Sequence, residues 1–162
     1  MTKPIIAILG KSGSGKTEFA KILQKHNIQP VQSHTTRPKR DKNDTSHKFH
    51  DDDSFNALKD IIAYTEYGGY KYGGTLPEGH PAYSYVIDER GLKMLREDPR
   101  FDVKSVLILA PEDIRKERTD EQRFNRDKDI EYTCSFDDII LNHRGLGYLE
   151  FQANQLIEAW IK

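Results

Sequence analysis

The run Gly10-Lys11-Ser12-Gly13-Ser14-Gly15-Lys16-Thr17 has the spacing G-x-x-x-x-G-K-[ST]. Glycines at those positions let main-chain N–H groups curl toward a polyphosphate, and a helix starting inside the run adds its positive end. Lys16 then lies along the β- and γ-phosphates, and the Thr17 hydroxyl is the Mg²⁺ ligand. Such a loop demands a buried strand before it and a helix after it. Both are legible. Pro4 to Leu9 is a continuous apolar run, the pattern of a strand covered on both faces, and Phe19, Ala20, Ile22 and Leu23 recur at helical spacing over Lys16 to His26. The plain alternative, a glycine-rich turn with a surface lysine, leaves that context unexplained. ATP and Mg²⁺ are the cofactors these residues imply.

A phosphate loop does not say which reaction follows. The chain has no Asn/Thr-Lys-x-Asp tetrapeptide of the kind that reads guanine in nucleotide switches. Downstream stands Ser33-His34-Thr35-Thr36-Arg37-Pro38-Lys39-Arg40. Planar guanidinium forks hold a monophosphate dianion well, and Arg37 and Arg40, three residues apart, can converge on one such group. The bland reading is a solvated basic loop, because Lys39, Lys42 and Lys48 lie nearby. A phosphate loop upstream favours an acceptor site.

The same segment resembles the S-x-T-T-R-x-P-R signature of guanylate kinases. Three further stretches are similar to motifs of that family: Gly69-Tyr70-Lys71-Tyr72-Gly73, Val86-Ile87-Asp88-Glu89-Arg90-Gly91, and Phe136-Asp137-Asp138-Ile139-Ile140-Leu141-Asn142. The resemblance implies that Ser33, Arg37 and Arg40 hold the acceptor phosphate and that Tyr72 frames it. It implies Asp88 near the base or the metal-bound water, and Asn142 near the donor nucleotide. Arg118 and Arg126 become lid arginines that reach the transferring group, with Arg123 a competitor for the second role. The chain departs from the pattern at His47, which stands where a phosphate-binding tyrosine belongs, and at Ala63 and Gly74, where the family carries a glutamate and a serine or threonine. Glu66 is the acid nearest to Ala63 and is the candidate replacement.

These groups need elements to position them. Asp53-Ser54 precedes Phe55, Leu58, Ile61 and Ile62, which predicts a capped amphipathic helix. Alternating aromatics and glycines from Ala63 to Thr75 predict short paired strands, whose tyrosines pack the acceptor region and line its pocket. Tyr83 to Ile87, Ser105 to Ala110 and Phe136 to Leu141 predict further strands; Leu92, Met94 and Leu95 lie at helical spacing, and Leu149 to Trp160 carry the stripe of a closing helix. Strands alternating with helices predict an α/β fold, a parallel sheet of the P-loop NTPase type flanked by helices, with a small strand-rich acceptor-binding insertion and a charged lid. The expected division is one kinase domain over 1–162: core 1–32, 86–111 and 132–162, acceptor subdomain 33–85, and lid 112–131.

Composition narrows the classes. In 162 residues, 25 Lys and Arg balance 26 Asp and Glu for a net charge of −1. That leaves no cationic surplus for binding a nucleic-acid duplex, so small nucleotides are the expected partners, with no nucleic acid. The single cysteine, Cys134, cannot form an internal disulfide and reads as a small buried hydrophobe. No apolar run approaches a membrane span, and the N-terminus runs straight into the glycine loop, so a cytoplasmic protein, monomer or homodimer, is expected. The favoured activity is transfer of the ATP γ-phosphoryl group to (d)GMP or a related monophosphate. The alternatives are a catalytically silent guanylate-kinase-like binding module and a P-loop kinase for another small acceptor.

Overall fold

A computed structural model describes residues 1–161. In chain order the elements are β1 (Lys3–Leu9), α1 (Lys16–Lys25), β2 (Ile28–Pro30), β3 (Gln32–Thr35), β4 (Lys48–Phe49), α2 (Asp52–Asn56), β5 (Ile62–Tyr67), β6 (Tyr70–Thr75), β7 (Ala82–Val86), α3 (Glu89–Arg96), β8 (Phe101–Leu109), α4 (Glu112–Arg118), α5 (Glu121–Asp127), β9 (Asp138–Leu141) and α6 (Leu146–Trp160).

β1 is buried on both faces, and its period of two divides the core. Ile6 and Ile8 pack with Phe19, Ile22 and Leu23 of α1 and Leu149, Ala153 and Leu156 of α6. Ile5, Ala7 and Leu9 face the other way, against Leu92 and Leu95 of α3 and Tyr83 and Tyr85 of β7. A strand covered on both sides has no polar face to show, which is why its sequence is an unbroken apolar run. The large sheet runs β2-β7-β1-β8-β9, parallel throughout. The chain leaves β1 for the β2 edge, returns through β7, and continues to β8 on the opposite side of β1. Neighbouring connections therefore depart in opposite directions at the carboxyl end of β1, where an open parallel sheet forms a crevice. Gly10 to Thr17 occupies that end.

The second sheet runs β4-β3-β6-β5, mixed in direction. Its register sorts side chains between two faces. Ser33 opposes Gly74, and Thr35 opposes Tyr72, which in turn opposes Thr65; these share one face. His34 opposes Gly73, and Glu66 opposes Lys71, on the other face. A polar chain on that back face links Thr75 Oγ1 to His34 Nε2 (2.8 Å), His34 Nδ1 to His50 Nε2 (2.8 Å) and His50 Nδ1 to Ser54 Oγ (3.0 Å). It ties the sheet to α2.

Four expectations need correction. The helix read through Ile62 is only Asp52–Asn56, capped by the Asp51 carboxylate on the Ser54 N–H. The chain then turns through Asp60 at φ 55°, and Ile62 opens a strand instead. The acceptor subdomain does not extend to residue 85, because β7 is paired to β1 and β2 in the large sheet. Tyr64, Tyr67 and Tyr70 do not pack the small sheet but are exposed, leaving Tyr72 to face inward among those four. Cys134 is part-exposed.

Gly74 shows how tightly the two sheets meet. A Cβ there would lie 2.6 Å from Val31 Cγ1 and 2.8 Å from the Tyr85 hydroxyl oxygen. Gly74→Ser, which introduces a hydroxyl as in the resembling family, should therefore cost about 1–3 kcal/mol by overpacking. The expected result is a lower urea midpoint at unchanged m-value; a loss below about 0.5 kcal/mol would contradict it.

Candidate active site

Three glycines of the phosphate loop adopt positive φ: Gly10 at 158°, Gly13 at 79° and Gly15 at 105°. Space matters as much as conformation. A Cβ on Gly13 would meet the Arg115 carbonyl at 2.7 Å, and one on Gly15 would meet Asn142 Nδ2 at 2.2 Å. The loop is thus clasped between α4 and the end of β9. The buried Asn142 donates from Nδ2 to the Ser14 carbonyl (2.8 Å), bracing the loop from the side of α6. The Ser14 hydroxyl is buried without a partner.

Lys16 opens α1 and bends back to donate its ammonium to the Gly10 carbonyl. Burial pulls its pKa down to about 8, the Asp127 carboxylate opposes that shift, and Arg126 adds to it. A lysine so desolvated gains by meeting an anion. The Thr17 hydroxyl, next in α1, remains exposed.

The α4–α5 segment closes over the loop. Arg118 Nη1 donates to the Gly13 carbonyl at 3.4 Å, and Arg126 Nη2 to Ser12 Oγ at 3.1 Å. Lys11 Nζ reaches the Lys128 carbonyl at 3.0 Å. Between them sits Asp127, which reading by motif missed. Its Oδ2 accepts from the Ser12 N–H (2.8 Å) and the Ser12 hydroxyl (2.6 Å), while Oδ1 accepts from Arg126 Nε (2.8 Å). Burial raises the pKa of this carboxyl, but the bonds from Arg126 and Ser12 prevail and leave it at about 2. Arg115 is buried with Nη1 unpaired, its guanidinium 5.2 Å from the Phe124 ring centroid.

The second half of the site is the front face of the small sheet and the loop behind it. The buried Asp44 carboxylate accepts from Arg37 Nη1 (3.1 Å), the Arg40 N–H (3.2 Å), and the Ser46 N–H (3.2 Å) and hydroxyl (2.5 Å). These bonds outweigh burial and hold its carboxyl far below the usual range. Arg37 is therefore oriented from behind. The Arg40 guanidinium makes no hydrogen bond among the described residues. Its pKa is lowered first by partial burial, then by Arg126 and Arg37, with Arg123 contributing less. The charge of Arg126 lowers the proton affinity of both Lys16 and Arg40, after burial in each case.

His47 joins this half, its Nδ1 2.6 Å from Ser33 Oγ and its ring 5.9 Å from that of Tyr72. Burial, reinforced by Arg37, holds its pKa at about 4. Tyr85, another residue missed in sequence, is buried beneath Gly74, which opposes Ser33 across β3 and β6; burial raises its pKa to about 12. Glu66 does not join the site. It lies on the opposite face from Tyr72, exposed and bonded to the Tyr64 hydroxyl (2.5 Å). Asp88 caps α3 through the Gly91 N–H (2.9 Å) and pairs with Arg90 (2.7 Å), although its charge reaches Tyr85.

A family model described as AAA domain matches residues 6–135. Curated proteins give no match. Among solved structures, guanylate kinase from Anaplasma phagocytophilum superposes with a TM-score of 0.68 at 23% identity, covering 99% of this chain and 88% of that one. A sugar kinase from a Janibacter species gives a TM-score of 0.51 at 14% identity, covering 99% and 95%. At these identities the likeness is one of fold: a P-loop, kinase-like α/β domain.

Asp127 sets a testable acid dependence. Its folded value near 2 lies below the ordinary 3.8, so its stabilisation is complete above about pH 4 and fades as pH falls toward 2. Asp127→Asn should flatten the stability curve between pH 4 and 2 by about 2 kcal/mol relative to the parent. Urea unfolding at stepped pH reads this out; parallel curves would show that the carboxylate is not latched to the loop.

Proposed function

The chain belongs to the AAA domain family, and from that premise we propose that it is an ATP-dependent nucleoside monophosphate kinase of guanylate-kinase type. The observation that carries the reading is the glycine phosphate loop at the carboxyl end of β1, with Arg118 and Arg126 bonded over it at 3.4 Å and 3.1 Å and Lys16 folded into it, so that a cleft for two anions would run from this loop to the Asp44-held Arg37. Two anions held by the two halves of such a cleft meet end to end. The acceptor is (d)GMP or a related monophosphate.

In the transfer, an oxygen of the acceptor monophosphate forms a bond to the γ-phosphorus as the bond to the β-bridging oxygen breaks, releasing ADP. The protein has little covalent chemistry to do, so positioning and charge neutralisation dominate. Gly10 to Lys16 hold the donor phosphates, and Arg37 and Arg40 aim the acceptor oxygen. Arg118 and Arg126 follow the charge that spreads over the transferred group. The α4–α5 segment acts as a lid that excludes water as a competing acceptor.

The loop fits its nucleotide. The orphaned Ser14 hydroxyl and the glycine turn, with no room for Cβ atoms, make a main-chain cradle suited to phosphate. No cluster of three or more His, Cys, Asp or Glu side chains that could hold a metal occurs among the described residues. Thr17, whose hydroxyl follows Lys16 at the start of α1, is the one residue of the loop that would hold Mg²⁺, which would supply charge neutralisation for the donor phosphates.

A second reading keeps the chemistry and changes the acceptor. Ala63 and Gly74 offer no polar side chain, Glu66 faces away, and Asp88 is engaged by Arg90 and the α3 terminus. No free carboxylate among these faces the acceptor, which favours a monophosphate other than that of guanine.

Turnover of ATP against a panel of ribo- and deoxyribonucleoside monophosphates tests both readings; absence of monophosphate-dependent ADP release would exclude them. Lys16→Ala should lower kcat at least ~10²-fold, the scale of losing one preorganised charge contact. Arg37→Ala should chiefly raise KM for the acceptor. Lys16, held at about 8 when free, regains its proton when the polyphosphate binds. Binding at pH 8 should thus take up about half a proton, and affinity should fall above that pH. Calorimetry in buffers of differing ionisation enthalpy measures the uptake; a value of zero would contradict this role for Lys16.

A further inference from the structure

The phosphate loop already holds an anion of the chain's own. The Ser12 N–H and the Ser12 hydroxyl both donate to Asp127 Oδ2, at 2.8 Å and 2.6 Å, and Oδ1 takes the Nε–H of Arg126 at 2.8 Å. Arg126 Nη2 donates in turn to Ser12 Oγ at 3.1 Å, which closes a ring of three residues. The Asp127 residue is only 6% exposed, so this ring is largely shielded from water.

A carboxylate set between a loop N–H and an arginine fork has the partners that an oxygen of a bound polyphosphate would take. The cations around the loop rest, by contrast, on neutral groups. Lys16 donates to the Gly10 carbonyl, Arg118 to the Gly13 carbonyl at 3.4 Å, and Lys11 to the Lys128 carbonyl at 3.0 Å. Asp127 is the one anion hydrogen-bonded to the loop among the described residues. A second anion cannot share the Ser12 N–H and the Arg126 fork with it, because two negative groups at hydrogen-bond distance in a shielded site repel strongly. Two roles for Asp127 therefore differ in sign. If it only steadies Arg126 for the ligand, its loss weakens polyphosphate binding; if it stands in the ligand's place, its loss strengthens that binding.

We propose that Asp127 is a surrogate anion: in the ligand-free protein its carboxylate fills the phosphate loop and ties up Arg126, and a polyphosphate binds by displacing it and taking over both partners. This rests on the phosphotransferase reading for the identity of the donor, but the competition holds for any polyphosphate at this loop. The contact is thus autoinhibitory. It holds the α4–α5 segment down before a ligand arrives, and apparent affinity is reduced by the small fraction of molecules in which the carboxylate has let go.

The test uses the full-length protein and inorganic triphosphate in Mg²⁺-free buffer near neutral pH, with calorimetry for affinity and amide hydrogen exchange for the loop. Asp127→Asn and, separately, Asp127→Ala should bind triphosphate about fivefold to fiftyfold more tightly than the parent, the scale of charge-assisted bonds that no longer have to be broken. Asp129→Asn removes the same charge from a nearby exposed residue that makes no hydrogen bond among the described residues, and should change the affinity by less than about twofold. The Ser12 amide should exchange slowly in the ligand-free parent, faster in Asp127→Ala, and slowly again in both once triphosphate is bound. Equal, weaker or no binding in both Asp127 variants overturns the displacement, as does tightening of the same size in Asp129→Asn or an unprotected Ser12 amide in the ligand-free parent. Tighter binding with no monophosphate-dependent ADP release would leave the displacement standing and sink the kinase reading; turnover in the parent with weaker binding in the Asp127 variants would do the reverse.

Discussion

A site that is to grip two phosphate groups, as proposed, must first keep its own cations together. Lys16, Arg118 and Arg126 are bonded about the phosphate loop, Arg37 and Arg40 follow β3, and partial burial, then the charges of Arg126 and Arg37, lower the proton affinity of Arg40. Two carboxylates make the arrangement tenable. Asp44 binds the Arg37 guanidinium and the backbone that carries Arg40; Asp127 binds Arg126 and the backbone of Ser12. Each therefore fixes a loop and a cation at once, from positions withdrawn from solvent. Such buried carboxylates are themselves costly, and several charge-assisted bonds to each are what keep them ionised.

The sheet supplies the second constraint. Because β1 is flanked by β7 and β8, connections diverge above its carboxyl end, and the phosphate loop fills the gap. β7 is shared. On one side it pairs with β1; through Tyr85 it supports the small sheet under Gly74. The spacing between the phosphate loop and the small sheet is thus set by the large sheet, the kind of rigid support that would hold the proposed reacting groups in line.

What was legible in the sequence was local. The phosphate loop, β1 and α1 announce themselves because glycine spacing, a doubly buried strand and a helical stripe each leave a pattern within a few residues. The arginines near the loop could be nominated from their type. Asp127 could not: it is 115 residues from Ser12, and nothing around it distinguishes it from the other acids of a charged stretch. Tyr85 was hidden for the same reason, whereas Asp44, though only seven residues from Arg37 and four from Arg40, lies in a loop whose acids carry no motif. Glu66 failed for a subtler one. Proximity in sequence made it a substitute for Ala63, but a register shift between Ile62 and Thr65, with Ala63 at φ 51°, fixes which face each residue takes. A one-residue slip moves every side chain to the other face, and composition carries no trace of it. The helix read through Ile62 failed because apolar spacing could not show that Ile62 belongs to a sheet.

The resting arrangement also bears on how a polyphosphate would enter. Lys16 is part-buried while it waits; it donates to the Gly10 carbonyl inside the loop, and Arg126 is already held against Ser12 by Asp127. An arriving anion replaces a main-chain dipole on Lys16 with a full negative charge, and little water has to be stripped away. Preorganised groups of this kind cost no reorganisation when charge develops between them, whereas flexible surface cations would have to be dehydrated and ordered first. The same latch limits the gain. Asp127 places a negative charge beside the phosphate loop, so the lid arginines must offset it as well as the ligand. A segment held over the loop by a carboxylate exchanges some affinity for position, a balance that would suit the proposed transfer, after which product must leave.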